Sequence, residues 1–319
     1  MAVYTHVPAE AMAVFLARYD CGELVSAKGI AEGVENSNYL VDTTTGRFIL
    51  TLYEKRVAAG DLPFFMALLD HLAGKGLPVP PAIKDRDGVA IQELGGRPAC
   101  LIKFLPGVSL SHPTPAQAMA AGRAMAEMHR AVEDFPLTRE NTMGFDHWAP
   151  LFERCGRDLD TISPGLYDDL GFQLDAVRSS WRDDLAMPRG VIHADLFPDN
   201  VLMRGDTVSG LIDFYFACTD FRAYDLAVAH SAWTFDASGS RPDWAIGDAL
   251  IAGYQQVVPL QPVERAELVN LARGACIRFL LSRAWDWLNT PADALVTRKD
   301  PMAYWRRLKS YDERSDHLA

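Results

Sequence analysis

The chain is predicted to fold as an α+β protein of two lobes, a small antiparallel sheet followed by a larger, mainly helical part. Three observations carry this. Short apolar and aromatic runs of strand length crowd residues 1–105. Apolar residues at helical spacing dominate from 115 onward. Between them, Pro106-Gly107 breaks the chain directly after an apolar run, which gives lobes of 1–105 and 106–319. A chain of 319 residues is long enough to bury about three quarters of its unfolded surface.

The elements follow in order. Residues 8–19 set Ala11, Val14, Phe15 and Ala17 at helical spacing. Strands at 23–28 and 38–42 flank the loop GIAEGVENS (29–37), and RFILTLY (47–53) is a third strand rich in apolar and aromatic residues. A helix over 62–73 is ended by Gly74 and Gly76 and followed by the proline-rich LPVPP. Strands at 89–93 and 98–104 complete the sheet. Past the break, helices are expected over 115–130, 164–182, 222–233, 244–257, 262–288 and 302–308. Short strands at 191–193, 201–203 and 208–213 interrupt them, the last two joined at Arg204-Gly205-Asp206.

Composition narrows the function. A net charge of −11 argues against nucleic acid, because the phosphate backbone repels an acidic surface. The five cysteines are scattered without a CxxC pair, so neither a disulfide framework nor a zinc site is indicated and reduced thiols are expected. The first twenty residues lack the pattern of a signal peptide, and no apolar run reaches the roughly 18 residues of a membrane span. A cytoplasmic protein, acting on a small molecule and with no membrane partner, is the expectation. The oligomeric state stays open between monomer and weak dimer.

The chemistry is concentrated in GVIHADLFPDNVLMRGDTVSGLIDF (190–214). Asp195 is followed five residues later by Asn200 and eighteen residues later by Asp213. Phosphoryl transfer from ATP needs a carboxylate at the acceptor hydroxyl and oxygen ligands for Mg²⁺. Asp195 is the candidate base, with Asn200 and Asp213 as candidate metal ligands. An aspartate alone is as readily a turn residue; the joint spacing is what points to catalysis. Protein kinases carry the same parts in this order. His193 would brace the loop, and Asp225, at the start of the 222–233 helix, is a structural carboxylate.

These residues resemble the aminoglycoside phosphotransferase and choline kinase superfamily, whose protein-kinase-like fold joins a nucleotide-binding, sheet-rich N-lobe to a helical C-lobe. Four stretches, GVENSNYLV (33–41), FILTLYE (48–54), VIHADLFPDNVL (191–202) and IRFLLSRAWDW (277–287), are similar to the homoserine kinases of the bacterial threonine pathway that share this fold. The resemblance implies ATP and Mg²⁺ as cofactors and phosphorylation of L-homoserine to O-phospho-L-homoserine. Gly33, Asn36, Ser37 and Asn38 would face the phosphates, although the loop does not match GxGxxG. In CLIKFLP (100–106), Lys103, Phe104 and Leu105 would read the adenine edge through their backbone, with Leu50 and Leu202 against the ring. Protein kinases carry a lysine on the third strand; Thr51 stands here, as in those homoserine kinases, and the 62–73 helix has no glutamate to pair with a lysine.

Homoserine carries a carboxylate, an ammonium and a hydroxyl. Arg283 is assigned to the carboxylate and Asp286, three residues on, to the ammonium; the same two could equally pair with each other. Arg278 and Asn36 are weaker candidates, and Trp285 and Trp287 are expected in the core. The rivals are a kinase of another alcohol (hydroxylysine, choline, methylthioribose, an aminoglycoside) and a nucleotide-binding pseudokinase. A metal-dependent hydrolase is poorly supported, since only Asp199 lies close to Asp195 as a further ligand.

Overall fold

The computed structural model describes residues 4–30, 36–54, 58–181, 186–290, 298–313 and 318. The chain divides into two compact units, Met1–Gly107 with Ser209–Tyr215, and Val108–Val208 with Phe216–Ala319. The break at Gly107 falls beside the proline-glycine signal. The return of 209–215 to the first unit was not expected.

In the first unit, α1 (Ala9–Leu16) precedes strands β1 (Leu24–Gly29), β2 (Ser37–Thr43) and β3 (Arg47–Leu52), then α2 (Leu62–Gly74), β4 (Ala82–Ile83), β5 (Gln92–Leu94) and β6 (Arg97–Lys103). The strands pair antiparallel in the order β1-β2-β3-β6-β4, with β5 on β6. Strand alternation decides what each face meets. Tyr39, Val41, Leu50, Leu52, Ala99 and Leu101 are buried together with Met12, Phe15 and Leu16 of α1. Thr51 and its cross-strand partner Cys100 lie on the other face, where the Cys100 thiol meets Met66 of α2. Leu211 ties the 209–215 segment to this unit by donating to the Pro78 carbonyl at 2.8 Å.

The second unit holds α3 (Pro115–Ala131), α4 (Phe145–Cys155), α5 (Leu166–Ser180), β7 (Arg189–Ile192), β8 (Val201–Arg204), β10 (Cys218–Phe221), α6 (Arg222–Trp233), α7 (Trp244–Gln255), α8 (Pro262–Asn289) and α9 (Met302–Glu313). β8 forms a two-residue hairpin with β9 (Thr207–Leu211), and Gly205 supplies the positive φ the turn requires. Thr114 and Gln117 form a capping box at the start of α3. α3 and α7 cross at glycines: a Cβ on Gly122 would collide with the Leu250 carbonyl, and one on Gly253 with the Met119 carbonyl. α4 was not foreseen, because Pro150 sits inside it. Its buried Trp148, Phe152 and Cys155 nonetheless form one apolar stripe.

All five cysteines are buried and free. Burial pushes the Cys100 and Cys218 thiols up to about 12 and Cys155 up to about 11, so none is a reactive thiolate. Among the described residues, no helix is long and apolar enough to cross a membrane.

Candidate active site

β7 ends at Ile192 and the chain turns sharply. Ala194 adopts φ +63°, a left-handed conformation that costs a residue with a Cβ. Buried hydrogen bonds hold it there. The Asp225 carboxylate accepts the His193 amide at 2.9 Å and the Ala194 amide at 2.7 Å. Its Oδ2 also lies 2.9 Å from His129 Nε2, and His129 Nδ1 is 2.9 Å from the Tyr254 hydroxyl. The brace thus joins α3, α6 and α7, the first and last of which meet at the glycine crossing. Burial alone would raise the Asp225 pKa, but the His129 bond, the electrostatic pull of the neighbouring imidazoles and the His193 amide outweigh it and hold it below the usual carboxylate range. With Asp225 ionised, His129 Nε2 carries the proton it donates. Asp225 and His193 are therefore supports, buried away from solvent. His193 Nδ1 accepts the Asp195 amide at 3.2 Å, which leaves the imidazole proton on Nε2.

Asp195 follows, half-buried. Asn200 closes the loop from the other end, Nδ2 donating to the Asp195 carbonyl at 2.8 Å and to its carboxylate Oδ2 at 3.3 Å. With Nδ2 engaged on Asp195, Oδ1 is the atom Asn200 can offer a cation. Trp233 Nε1 donates to the Leu196 carbonyl at 2.9 Å, and Arg278 Nη1 donates to the Ala194 carbonyl. Arg278 is buried against the rings of Phe279 and Phe216, at 4.3 and 5.5 Å. It braces the loop, a use the sequence did not disclose.

Arg283 lies one turn further along α8, half-buried, its guanidinium 4.6 Å over the Tyr304 ring. Burial lowers its pKa, while Tyr304, Asp195 and Asp300 pull it back up, so the Asp195 carboxylate is within electrostatic reach of it. Asp286 is half-buried on the same helix. Trp285 and Trp287 are only half-buried, and stack under Arg154 and Arg298 at 4.0 and 4.7 Å, so their expected place in the core is corrected.

In the first unit, Asp213 follows β9 at φ +65°. The same unit holds a polar network: Thr51 Oγ1 donates to Asn38 Oδ1 at 2.8 Å, and the Tyr53 and Tyr215 hydroxyls are 3.1 Å apart. Burial pushes the Tyr215 phenol well up, its bonds with Tyr53 and Thr51 act against this, and the Asp213 charge adds to it. Ser37 Oγ donates to Glu54 at 2.8 Å and accepts the Tyr4 and Thr5 amides, so its one proton is already engaged. Asn36 Oδ1 accepts the Glu54 amide at 3.3 Å. Gly33 lies outside the described residues. Leu50 is fully buried against α1, on the face opposite Thr51, which corrects its assignment to the adenine ring; Ile49 shares the Thr51 face. The Lys103 amide donates to the Pro81 carbonyl at 3.1 Å, which leaves the backbone of Phe104 and Leu105 as the candidate adenine edge. The Phe104 ring lies 5.4 Å under Arg47. Leu202 lies in β8 of the second unit and is half-buried.

The family model described as the phosphotransferase enzyme family matches residues 26–260. The homoserine kinase of Methylorubrum populi is 52% identical over 316 residues, covering 99% of this chain and 98% of its own. That of Gluconobacter oxydans is 50% identical and covers 99% of each chain. Among solved structures, an amicoumacin kinase in complex with AMP-PNP, Ca²⁺ and Ami superposes with a TM-score of 0.72 at 14% identity, covering 97% of this chain and 94% of that one. Choline kinase from Cryptosporidium parvum gives 0.66 at 15% identity, covering 91% and 88%. At such identities the likeness speaks to the fold, and it is the kinase-like α+β fold the sequence predicts.

Proposed function

We propose that this chain, which belongs to the phosphotransferase enzyme family and within it to the homoserine kinases, transfers the γ-phosphate of ATP to the hydroxyl of L-homoserine. Asp195 accepts or orients the hydroxyl proton as the oxygen attacks the γ-phosphorus in line. The bond to the bridging oxygen breaks, ADP leaves, and the proton passes through Asp195. Asn200 serves this step twice, steadying Oδ2 of the base and offering Oδ1 to a cation. Asn200 Oδ1 and the Asp213 carboxylate are hard oxygen donors of the kind Mg²⁺ takes, and Mg²⁺ when bound neutralises charge on the β- and γ-phosphates.

The observation that carries the choice of acceptor is Arg283, a half-buried cation within electrostatic reach of the base. An acceptor with a carboxylate fits that position, by a bidentate pair; choline or an aminoglycoside, both cationic, does not. Asp286 on the same helix is the proposed partner of the ammonium. The phosphate loop (Gly33, Asn36, Ser37, Asn38) and the backbone of 103–105 remain the proposed ATP contacts, with Lys103 and Ser37 the weakest of them because their donors are engaged.

The test is ADP release with Mg·ATP and L-homoserine, with choline, hydroxylysine and kanamycin in parallel. Turnover is expected with homoserine, and Asp195→Asn should lower kcat by about 10²–10⁴-fold. Preference for choline or kanamycin would discard Arg283 and Asp286 as acceptor ligands. ATP binding without turnover of any acceptor would bring the pseudokinase reading forward.

A further inference from the structure

Among the described residues, the second unit contains a buried hydroxyl, that of Tyr304, with no hydrogen-bond partner. Tyr304 lies in α9 and is fully buried. Such groups are rare in folded proteins, because an unpaired buried hydroxyl is disfavoured, and each requires a reason. Nothing else about the residue is loose. Its ring stacks on Phe279 at 4.9 Å and 24°, and Phe279 in turn packs on Phe197, two residues past Asp195. The guanidiniums of Arg283 and Arg307 lie over the ring at 4.6 and 4.4 Å.

The two arginines are not equivalent. Arg307 is buried, with Nη1 on the Ser231 carbonyl at 2.9 Å and Nη2 on the Asp236 carbonyl at 3.1 Å, so it is fastened to the fold. Among the described residues, the only hydrogen bond of Arg283 is a long one, Nη1 to the Asp300 carbonyl at 3.3 Å. Arg283 and the Tyr304 hydroxyl therefore form a pair of donors whose capacity is little used among the described residues, and both feel the charge of Asp195. Burial raises the phenol pKa and the two arginines lower it only in part, so the hydroxyl keeps its proton.

We infer that the Tyr304 hydroxyl and the Arg283 guanidinium together receive the α-carboxylate of the acceptor, and that Tyr304 is the residue by which the site distinguishes an amino-acid alcohol from a plain amino alcohol. The inference rests on the reading of homoserine as acceptor. In homoserine two carbons separate the hydroxyl carbon from the carboxylate carbon, ends that would face Asp195 and this donor pair. A site built to hydrogen-bond a polar group rejects the analogue lacking it, because its own buried donor is then left unpaired. Here that analogue is 3-aminopropan-1-ol, homoserine without its carboxylate.

The experiment compares wild type, Tyr304→Phe and Arg283→Lys with L-homoserine and with 3-aminopropan-1-ol. For Tyr304→Phe, KM for homoserine should rise about tenfold or more, the scale of one hydrogen bond to a charged group, with kcat and KM for ATP nearly unchanged. With 3-aminopropan-1-ol the variant should match wild type, so the preference between the two acceptors narrows. Arg283→Lys should narrow it further, by losing the planar fork. The melting temperature of Tyr304→Phe should hold or rise, since an unpaired buried hydroxyl is removed. An unchanged KM for homoserine, an equal loss on both acceptors, or a fall in melting temperature would each overturn the role given to Tyr304. Failure of wild type to phosphorylate homoserine at all would overturn the functional reading and this inference with it, and is distinguishable because it is seen before any variant is made.

Discussion

Two segments of this chain carry the same unusual backbone and lie beside different networks. Among the described residues, Ala194 and Asp213 are the two non-glycine positions with positive φ, one beside the candidate base and the other itself a candidate metal ligand. Around Ala194 the support is ionic: the buried Asp225 carboxylate takes two amides and His129, while Arg278 holds the Ala194 carbonyl. Within reach of the Asp213 charge lies a neutral network, a run of hydroxyls and an amide through Tyr53, Tyr215, Thr51 and Asn38. Charge-assisted hydrogen bonds are roughly twice as strong as neutral ones, and buried networks of them are stiff. The chain therefore places an ionic support behind the candidate base. On the strand where protein kinases hold a lysine, it keeps an uncharged one.

The largest expected effect breaks the ionic support. Asp225→Asn keeps the shape but replaces one acceptor oxygen with a donor, facing either the Ala194 amide or both His129 and the His193 amide. Removing one partner of a buried charged network costs about 3–5 kcal/mol, which urea unfolding should show. Acid tests the same group without mutation. Because the folded-state pKa of Asp225 is depressed, its contribution is present at neutral pH and is lost as pH falls below about 4 through the folded value. The stability of Asp225→Asn should therefore fall less steeply than that of wild type over that acid limb. A parallel fall in both proteins would mean that the carboxylate is not held as described.

Tyr215→Phe, in the neutral network, should be milder. It removes one hydroxyl between Tyr53 and Thr51, worth about 0.5–1.5 kcal/mol, with the deficit shared because Tyr53 retains a hydroxyl to re-pair. A double-mutant cycle with Thr51→Val should give a coupling energy below ~1 kcal/mol, clearly smaller than the Asp225 effect. A Tyr215→Phe loss as large as that of Asp225→Asn would erase the contrast between the two supports.

Much of this was legible before the fold was known, wherever the signal was local. The sheet of the first unit follows from alternation in short strands, and the Asp195, Asn200 and Asp213 spacing is contained in a single stretch. What was missed depends on distant packing. His129 lies 96 residues from Asp225 and 125 from Tyr254, so no spacing rule joins them. β10 was missed because it is four residues long and its partner β7 precedes it across the whole catalytic loop. Leu50 is a different case. Its burial against α1 was available from parity, since Thr51 and Ile49 must share one face and Leu50 the other.

The smallest effect separates cause from coincidence in the strained loop. Ala194→Gly relieves a left-handed φ worth roughly 1–2 kcal/mol, against the greater freedom glycine gives the unfolded chain, about 0.5–1 kcal/mol. A net gain of up to ~1 kcal/mol in the wild-type background is expected, with a modest fall in kcat because the turn that presents Asp195 loses stiffness. In the Asp225→Asn background the loop is already released, so the same substitution should gain less. That ordering, read from urea unfolding of the four proteins, would show that the carboxylate imposes the conformation. An equal gain in both backgrounds would mean that φ at 194 is set elsewhere, by Arg278 on the Ala194 carbonyl or by Asn200 on Asp195, and the ionic support would then be a consequence of the turn and not its cause.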